Sequence, residues 1–250
     1  MQERASERPV LAFHCRWDGD PAADLAAEQA LLARVAAGGP ATLFAYGWTR
    51  PVAVLGRGQD AATLDVAAAA RLGVPIVRRA SGGTAVVHQG DLALSLVLPD
   101  AHPWARPIAG LYARFLDALS DGLVASGLPR PERPPAPPRA ASPAPRSPIC
   151  FEGNAGDTLA FDGRKAVGCA QARRRGAVLV HGMLLLGLDA DLQAAVFGVA
   201  PARILGAMAP LPVDAPRDAL ARHLADALAD ALGLEPAPAP LGRSPEPART

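Results

Sequence analysis

Apolar and polar positions change their spacing several times along the chain, and each change marks an element. After Pro21 the run ADLAAEQALLARVAAGG repeats at helical spacing and stops at Gly38 and Gly39, which predicts a first helix. TLFAYGW and PVAVLG are short apolar runs joined by a brief turn and predict two strands. AATLDVAAAARLG, rich in alanine and closed by Gly73, predicts a second helix. VPIVRRA and AVVHQGDLALSLVLP predict strands on either side of a Gly82-Gly83 turn. IAGLYARFLDALSDGLVASG sets Leu111, Phe115, Leu119 and Leu123 on one face, which predicts a helix with Phe115 and Tyr112 in the core.

Farther on, DTLAF and KAVGCAQA predict strands joined by a tight turn at Asp162-Gly163. A second turn, Arg173 to Gly176, leads into AVLVHGMLLL, so that Lys165 and His181 fall on neighbouring strands of one sheet. DAPRDALARHLADALADALG carries Leu220, Leu224, Leu228 and Leu232 on one stripe and predicts a last helix, with His223 at its surface. Between Pro129 and Pro148 nine of twenty residues are proline. Proline lacks the N–H that a ladder needs, so this stretch predicts an extended, solvated loop that delivers Cys150 from outside the domain. The final EPAPAPLGRSPEPART, residues 235–250, predicts a disordered tail. Residues 1–19 are left as an N-terminal strand and extension, and 20–234 as one domain with the loop at 129–148 inside it.

Composition narrows the function. At 250 residues and half apolar, the chain can bury one substantial core. A formal net charge of +1 gives no electrostatic case for nucleic acid or an anionic membrane surface. The first fifteen residues mix acidic and basic groups without an apolar h-region, so no signal peptide is expected. No apolar run reaches the roughly 18 residues needed to span a bilayer. Cys15, Cys150 and Cys169 are unevenly spaced, which suits a reducing cytoplasm better than a disulfide framework and lacks the paired spacing of a structural zinc site; no metal is expected.

Candidate chemistry centres on Cys150, in SPICFEG, and Lys165, in FDGRKAVGCAQ. A thiol attacks only as thiolate, and an ammonium held nearby favours that form. Taken singly, a cysteine is often a small buried apolar residue and a hairpin lysine a solvated charge. The adjacent glycines 82 and 83 suit a turn or a close approach to a ligand. They are surrounded by Arg78, Arg79, Ser81 and His88, and His181-Gly182 lies downstream. Arg173, Arg174 and Arg175 form either a solvated turn or a contact for an acidic carrier protein.

Together these segments carry a resemblance. RRASGGTAVVHQGDL is similar to the first signature of the lipoate-protein ligase and octanoyltransferase catalytic domain, and DGRKAVGCAQARRRGAVLVHGMLLL to the second. PVAVLGRGQDA resembles that family's first strand with its Gly-Arg-x-Gln element, and AADLAAEQALL its opening helix. The resemblance is collinear from about residue 20 to about residue 190. ICFEG with GRKAVGCAQ is most similar to the cysteine-dependent octanoyltransferases of Gram-positive type. It departs from the family pattern at Gln89, at Ala93-Leu94 before Ser95, and at Met183.

The resemblance implies an α+β fold: a single domain of mixed, largely antiparallel β-sheet with flanking helices, like biotin ligase and class II aminoacyl-tRNA synthetases. It implies Cys150 and Lys165 as catalytic residues, the lysine serving to activate the thiol. It implies substrate-binding positions at Arg79, Ser81, Gly82, Gly83, His88, Gly163, Gly168, Gln171, His181 and Gly182. Backbone N–H groups near Gly82-Gly83 or around Gly168 are candidate oxyanion donors. The implied reaction takes an octanoyl chain from octanoyl-acyl carrier protein to a lysine of lipoyl domains or of the glycine cleavage H protein, with no cofactor. Alternatives are an amidotransferase between lipoyl proteins, a lipoate ligase needing ATP and Mg, and a noncatalytic lipoyl-domain binder.

Overall fold

A computed structural model describes residues 9–135, 147–153 and 156–241. Its strands are β1 (Val10–Trp17), β2 (Thr42–Gly47), β3 (Val52–Leu55), β4 (Ile76–Arg78), β5 (Val86–His88), β6 (Leu92–Pro99), β7 (Thr158–Phe161), β8 (Arg164–Arg174), β9 (Ala177–Leu184) and β10 (Glu235–Pro238). The α-helices are α1 (Pro21–Ala36), α2 (Val66–Arg71), α3 (Ile108–Ala125), α4 (Ala190–Phe197), α5 (Pro201–Ala207) and α6 (Arg217–Leu232). Seven strands form one sheet in the order β10-β1-β2-β6-β9-β8-β7, and β4-β3-β5 form a second. β1 runs parallel to β2 and β10, while β2, β6, β9, β8 and β7 pair antiparallel in succession. The sheet is therefore mixed and largely antiparallel, as expected.

Three apolar cores hold these layers. One face of the large sheet packs on α3 and α6 through Phe115, Leu119, Leu224 and Leu228, all 0% exposed. Gly122 lets the helices approach, since a Cβ there would meet Leu224 and Ala227. The other face receives α1 through Leu25, Leu31, Leu32 and Val35, which pack with Phe44, Val52 and Leu179. Each such side chain contributes roughly 1.5–3 kcal/mol by leaving water. Helix α1 starts cleanly because Asp20 accepts from Ala23 N–H and Pro21 occupies the first turn. The third core joins the small sheet to α4, α5 and the segment carrying Ile149 and Phe151.

Several expectations change in the folded chain. The second predicted helix splits into a 3₁₀ turn at Ala61–Thr63 and α2, because Asp65 caps a new helix by accepting from Ala68 N–H. AVVHQGDLALSLVLP is two strands in two sheets. The break falls at 89–91, where Gly90 takes φ +81 and Asp91 accepts from Gln89 N–H. β4 and β5 do not form a hairpin around Gly82-Gly83; both flank β3, so the glycine turn crosses over it. Gly56 at the end of β3 must be glycine, since the Gly83 carbonyl lies where its Cβ would be. The proline-rich segment supplies ladder bonds after all, Glu132 and Ala160 exchanging N–H···O contacts of 2.8 and 3.0 Å; positions 136–146 lie outside the described residues. Residues 235–238, expected as disordered tail, form β10 against β1, with 242–250 outside the described residues. α4 and α5, which the sequence reading did not anticipate, cover the small sheet.

Among the described residues no helix is long and apolar enough to cross a membrane. Likewise, no cluster of three His, Cys, Asp or Glu could hold a metal ion.

Candidate active site

Cys150 opens a 3₁₀ turn, Cys150–Glu152, that is stitched to the glycine turn of the small sheet. Ala85 N–H donates to Pro148 O at 3.0 Å and Cys150 N–H donates to Ala85 O at 3.0 Å. Ser147 Oγ accepts from Ile149 N–H, and Glu152 is held by Ser147 and by Arg203 at 2.8 Å. Ile149 and Phe151 anchor the turn in the third core at 2% exposure. The thiol is thereby fixed between two buried neighbours.

Lys165, at the start of β8, is 3% exposed, so the hairpin lysine is not a solvated charge. Its Nζ donates to Cys150 O at 3.2 Å and Gly153 O at 3.1 Å, and lies 5.3 Å from the centre of the Phe151 ring. Carbonyl dipoles and an aromatic face compensate a buried ammonium in part and keep it next to the thiol's own residue. Gly168 makes this possible: a Cβ there would stand 2.8 Å from Lys165 Cε.

Cys150 and Lys165 open onto one cavity of about 610 Å³, shared with Arg79, Gly82, Gly83, Tyr112 and Gln171. Tyr112, expected in the core, is a cavity wall, and burial pushes its phenol up to about 12. Cys169 also reaches this cavity, but burial and then Asp157 push its thiol far up. Arg79 clamps the glycine turn, donating to Gly82 O at 2.9 Å, Thr84 O at 2.9 Å and Val54 O at 3.2 Å. Burial lowers the pKa of its guanidinium, with the Cys150 and Glu28 charges opposing. Arg78 organises the Gly-Arg-x-Gln loop, bonding Gly56 O at 2.8 Å and Gln59 O at 2.6 Å, and Gln59 Nε2 reaches Pro148 O at 3.4 Å. The glycine-rich loop is thus tied to the cysteine loop.

Sharing Arg79 with this cavity is a smaller chamber of about 40 Å³ bounded by Tyr46, His88, His181, Gly182 and Met183. Burial, then Arg79 and His181, push His88 down to about 3, so it is a neutral, edge-on partner of the Trp48 ring at 5.1 Å. Of the departures from the family pattern, Ala93 and Met183 are on this chamber's wall, while Gln89 Oε1 accepts from Gln193 Nε2 at 3.0 Å. His181 is held on both sides: Nε2 lies 2.9 Å from Ser81 Oγ and Nδ1 3.2 Å from Glu28 Oε1.

Nearly all the expected positions therefore gather around these two spaces. Gly163 does not. It sits at the β7–β8 turn with φ +71, beside Asp162 at φ +50, and its role is the backbone shape of a tight hairpin. Gln171 is on the wall, its Nε2 donating to Ile108 O at 3.4 Å. Glu28 and Tyr46 were missed. A signal existed for Glu28: it falls between Leu25 and Leu32 on the apolar stripe of α1, where a carboxylate has no business unless something inside pairs with it.

The model of the lipoyl protein ligase A/B catalytic domain matches residues 20–230. An octanoyltransferase LipM of Anoxybacillus flavithermus is 31% identical over 200 residues, covering 76% of this chain and 70% of that one. One from Kyrpidia tusciae is 32% identical over 242 residues, covering 87% and 86%. Among solved structures, lipoate-protein ligase A bound with ATP superposes with TM-score 0.74 at 23% identity, over 93% of this chain and 88% of that one. A bipartite lipoate protein ligase from Thermoplasma acidophilum, solved in a study with its E2 lipoyl domain, gives 0.71 at 21%, over 93% and 86%. Matched by the family model over residues 20–230 and by relatives at 31% and 32% identity over most of its length, the chain belongs to the lipoyl protein ligase A/B catalytic-domain family.

Proposed function

We propose that the protein is an octanoyltransferase of protein lipoylation, passing the chain from octanoyl-acyl carrier protein through a Cys150 thioester to a lysine of a lipoyl domain. The observation that carries this reading is the buried Lys165 ammonium bound to the carbonyl of Cys150 itself, at the wall of a cavity open to substrate. The names of the relatives support the octanoyl group, and the lipoyl-domain partner of the Thermoplasma protein supports the acceptor. A glycine cleavage H protein would serve as acceptor by the same chemistry.

In the first step the Cys150 sulfur attacks the donor thioester carbonyl and expels the carrier thiol. Lys165 stabilises the negative charge on the sulfur before attack and after departure. The oxyanion of each tetrahedral intermediate needs fixed donors. The Gly82-Gly83 backbone, clamped by Arg79 at the cavity edge, is better placed for that than Gly168, whose N–H lies within the β8 ladder. Val54, Val86, Ala93 and Met183 give the chamber that shares Arg79 an apolar wall. Burying about seven carbons at roughly 0.8 kcal/mol each supplies about 5 kcal/mol toward chain selection. Because the acyl group arrives already activated as a thioester, the reaction needs no nucleotide or metal.

The test is intact-protein mass spectrometry after mixing with octanoyl-acyl carrier protein without ATP. A hydroxylamine-labile octanoyl adduct is expected on the wild-type protein and absent from Cys150→Ala. An adduct that survives the substitution, or none from folded wild-type protein, refutes the assignment; in the second case lipoyl-protein donors and ATP-dependent ligation are tried next.

A further inference from the structure

Burial draws an acyl chain in, but only a wall decides where the chain must stop. A chain joined to Cys150 begins in the cavity of about 610 Å³ and passes Arg79, the residue that cavity shares with the smaller chamber. Room in the chamber is about 40 Å³. A water-sized group such as a methylene takes roughly 10–15 Å³ of such room, so about three terminal carbons fill it. Whatever closes the far end of the chamber therefore sets the chain length.

The apolar walls of the chamber differ in what stands behind them. Leu25, Val54 and Ala93 belong to the close-packed core around α1. Val86 and Met183 belong to the third core, and they bound two spaces at once: the chamber, and a seam walled by Phe151, Leu185, Phe197 and Met208 that has no room for a water molecule. The one polar side chain of that seam, Gln193, already donates to Val87 O at 3.3 Å and Gln89 Oε1 at 3.0 Å. Met183 stands on β9 two residues after His181 and shares its face of the sheet, whereas a Cβ on Gly182 between them would meet Phe115 and Leu119 on the other. Val86 is stiff at its branched Cβ, and Met183 carries the long, unbranched chain of the pair. Methionine is thus the deep part of the partition.

We infer that Met183 is the stop for the acyl chain and so the residue that restricts the site to medium-length acyl groups. This rests on the thioester reading above. A longer chain would have to push Met183, 7% exposed, into a seam that is already full, and overpacking of that kind is costly. Cutting the side chain back to Cβ removes Cγ, Sδ and Cε and joins the chamber to the seam, which opens about three more places for carbon. The seam is apolar and its glutamine is satisfied, so methylenes that enter it desolvate no unpaired polar group. Each methylene buried there shifts binding about 4-fold.

The experiment mixes the protein with equal amounts of octanoyl- and decanoyl-acyl carrier protein and reads the early ratio of the two Cys150 adducts by intact-protein mass spectrometry, which reports the ratio of kcat/KM values. In Met183→Ala the decanoyl-to-octanoyl ratio is expected to rise about 10-fold, and in Met183→Leu, of nearly the same volume, to stay as in the wild type. A tetradecanoyl donor, about six carbons longer than octanoyl, overruns the opened places, so its ratio to octanoyl should not change. An unchanged decanoyl ratio in folded Met183→Ala, or an equal slowing of both donors, overturns the assignment, the second because it marks a merely structural role. A tetradecanoyl ratio that rises as far as the decanoyl one overturns it too, since the far end would then lead to solvent. Should Met183→Ala fail to fold, Val86→Ala opens the same partition from β5 and decides by the same ratio. A wild-type protein that loads neither chain defeats the transfer reading, and the chain stop with it; one that loads both leaves that reading standing whatever the ratio does.

Discussion

Adding one methyl group at Gly168 is expected to disable the site without unfolding the protein. The Cβ of Gly168→Ala would stand 2.8 Å from Lys165 Cε, 3.3 Å from its Nζ and 3.6 Å from the Phe151 ring. Carbon pairs prefer about 3.5–4.0 Å, so the lysine stem must retreat by about 1 Å. Its Nζ bonds, at 3.2 and 3.1 Å, have no slack for that. A hydrogen bond to a charged group contributes about 1.5–3 kcal/mol, so loss of one corresponds to about 10- to 150-fold in the charge stabilisation that Lys165 supplies. Gly168 lies within β8 and not at positive φ, so alanine's backbone fits. Rapid-quench mass spectrometry of Cys150 acylation, alongside urea unfolding of the same samples, measures both effects. Acylation at the wild-type rate would refute the claim that Lys165 must sit on the Cys150 and Gly153 carbonyls. A loss of stability large enough to account for the lost rate would refute it as well.

Other expectations follow from the same geometry. Lys165→Arg keeps the charge but puts a planar fork where Gly168 and Phe151 leave room for a compact ammonium, so acyl-enzyme formation should fall by at least about 10-fold; a wild-type rate in the quench assay would remove the lysine from its role. Phe115→Ala empties a fully buried site under the large sheet and should cost about 3–5 kcal/mol in urea unfolding, and a cost below about 1 kcal/mol would contradict the packing described. Asp91 is pushed up to about 7 by burial, its backbone N–H donors from Gln89 and Leu186 opposing. Between its unfolded value near 4 and about 7 the folded state holds the extra proton, so this group alone makes stability fall as pH rises. His88, down at about 3, has the opposite sign: the unfolded state binds the proton below about 6.5, so its term makes stability rise with pH. The two offset each other from about pH 4 to 6.5. Asp91→Asn should therefore expose a rise of stability with pH in that window, and an unchanged profile would deny the burial of one group or the other.

Much of the frame was legible because local spacing dictates it. The helices α1, α3 and α6 follow from apolar stripes that any amphipathic helix must bury. The β7–β8 hairpin follows from Asp162-Gly163, whose positive φ angles a two-residue turn requires. The pairing of Cys150 with Lys165 was legible only through resemblance, since fifteen residues of separation say nothing of distance. What local spacing could not supply was which strands share a sheet. β5 and β6 read as one run, yet Asp91 breaks it by collecting N–H donors from Gln89 and, across the fold, Leu186. β10 read as tail because proline-alternating segments look solvated, and only the free edge of β1 gives Glu235–Pro238 a ladder to join.

The division is sharpest at the active site. The sequence by itself determined the chemical inventory: three thiols, one of them three residues before a glycine, one lysine after a tight turn, two arginines and a serine before paired glycines, and a histidine before another. Tertiary structure alone decided what those groups are. Burial at 3% exposure turns Lys165 from a surface charge into a fixed cation. Packing of α1 against β9 brings Glu28 across 153 residues to the back of His181. Both effects arise from long-range desolvation and contact, which depend on where the chain returns in space and leave only faint marks, such as a lone carboxylate on an apolar stripe, in the order of its residues.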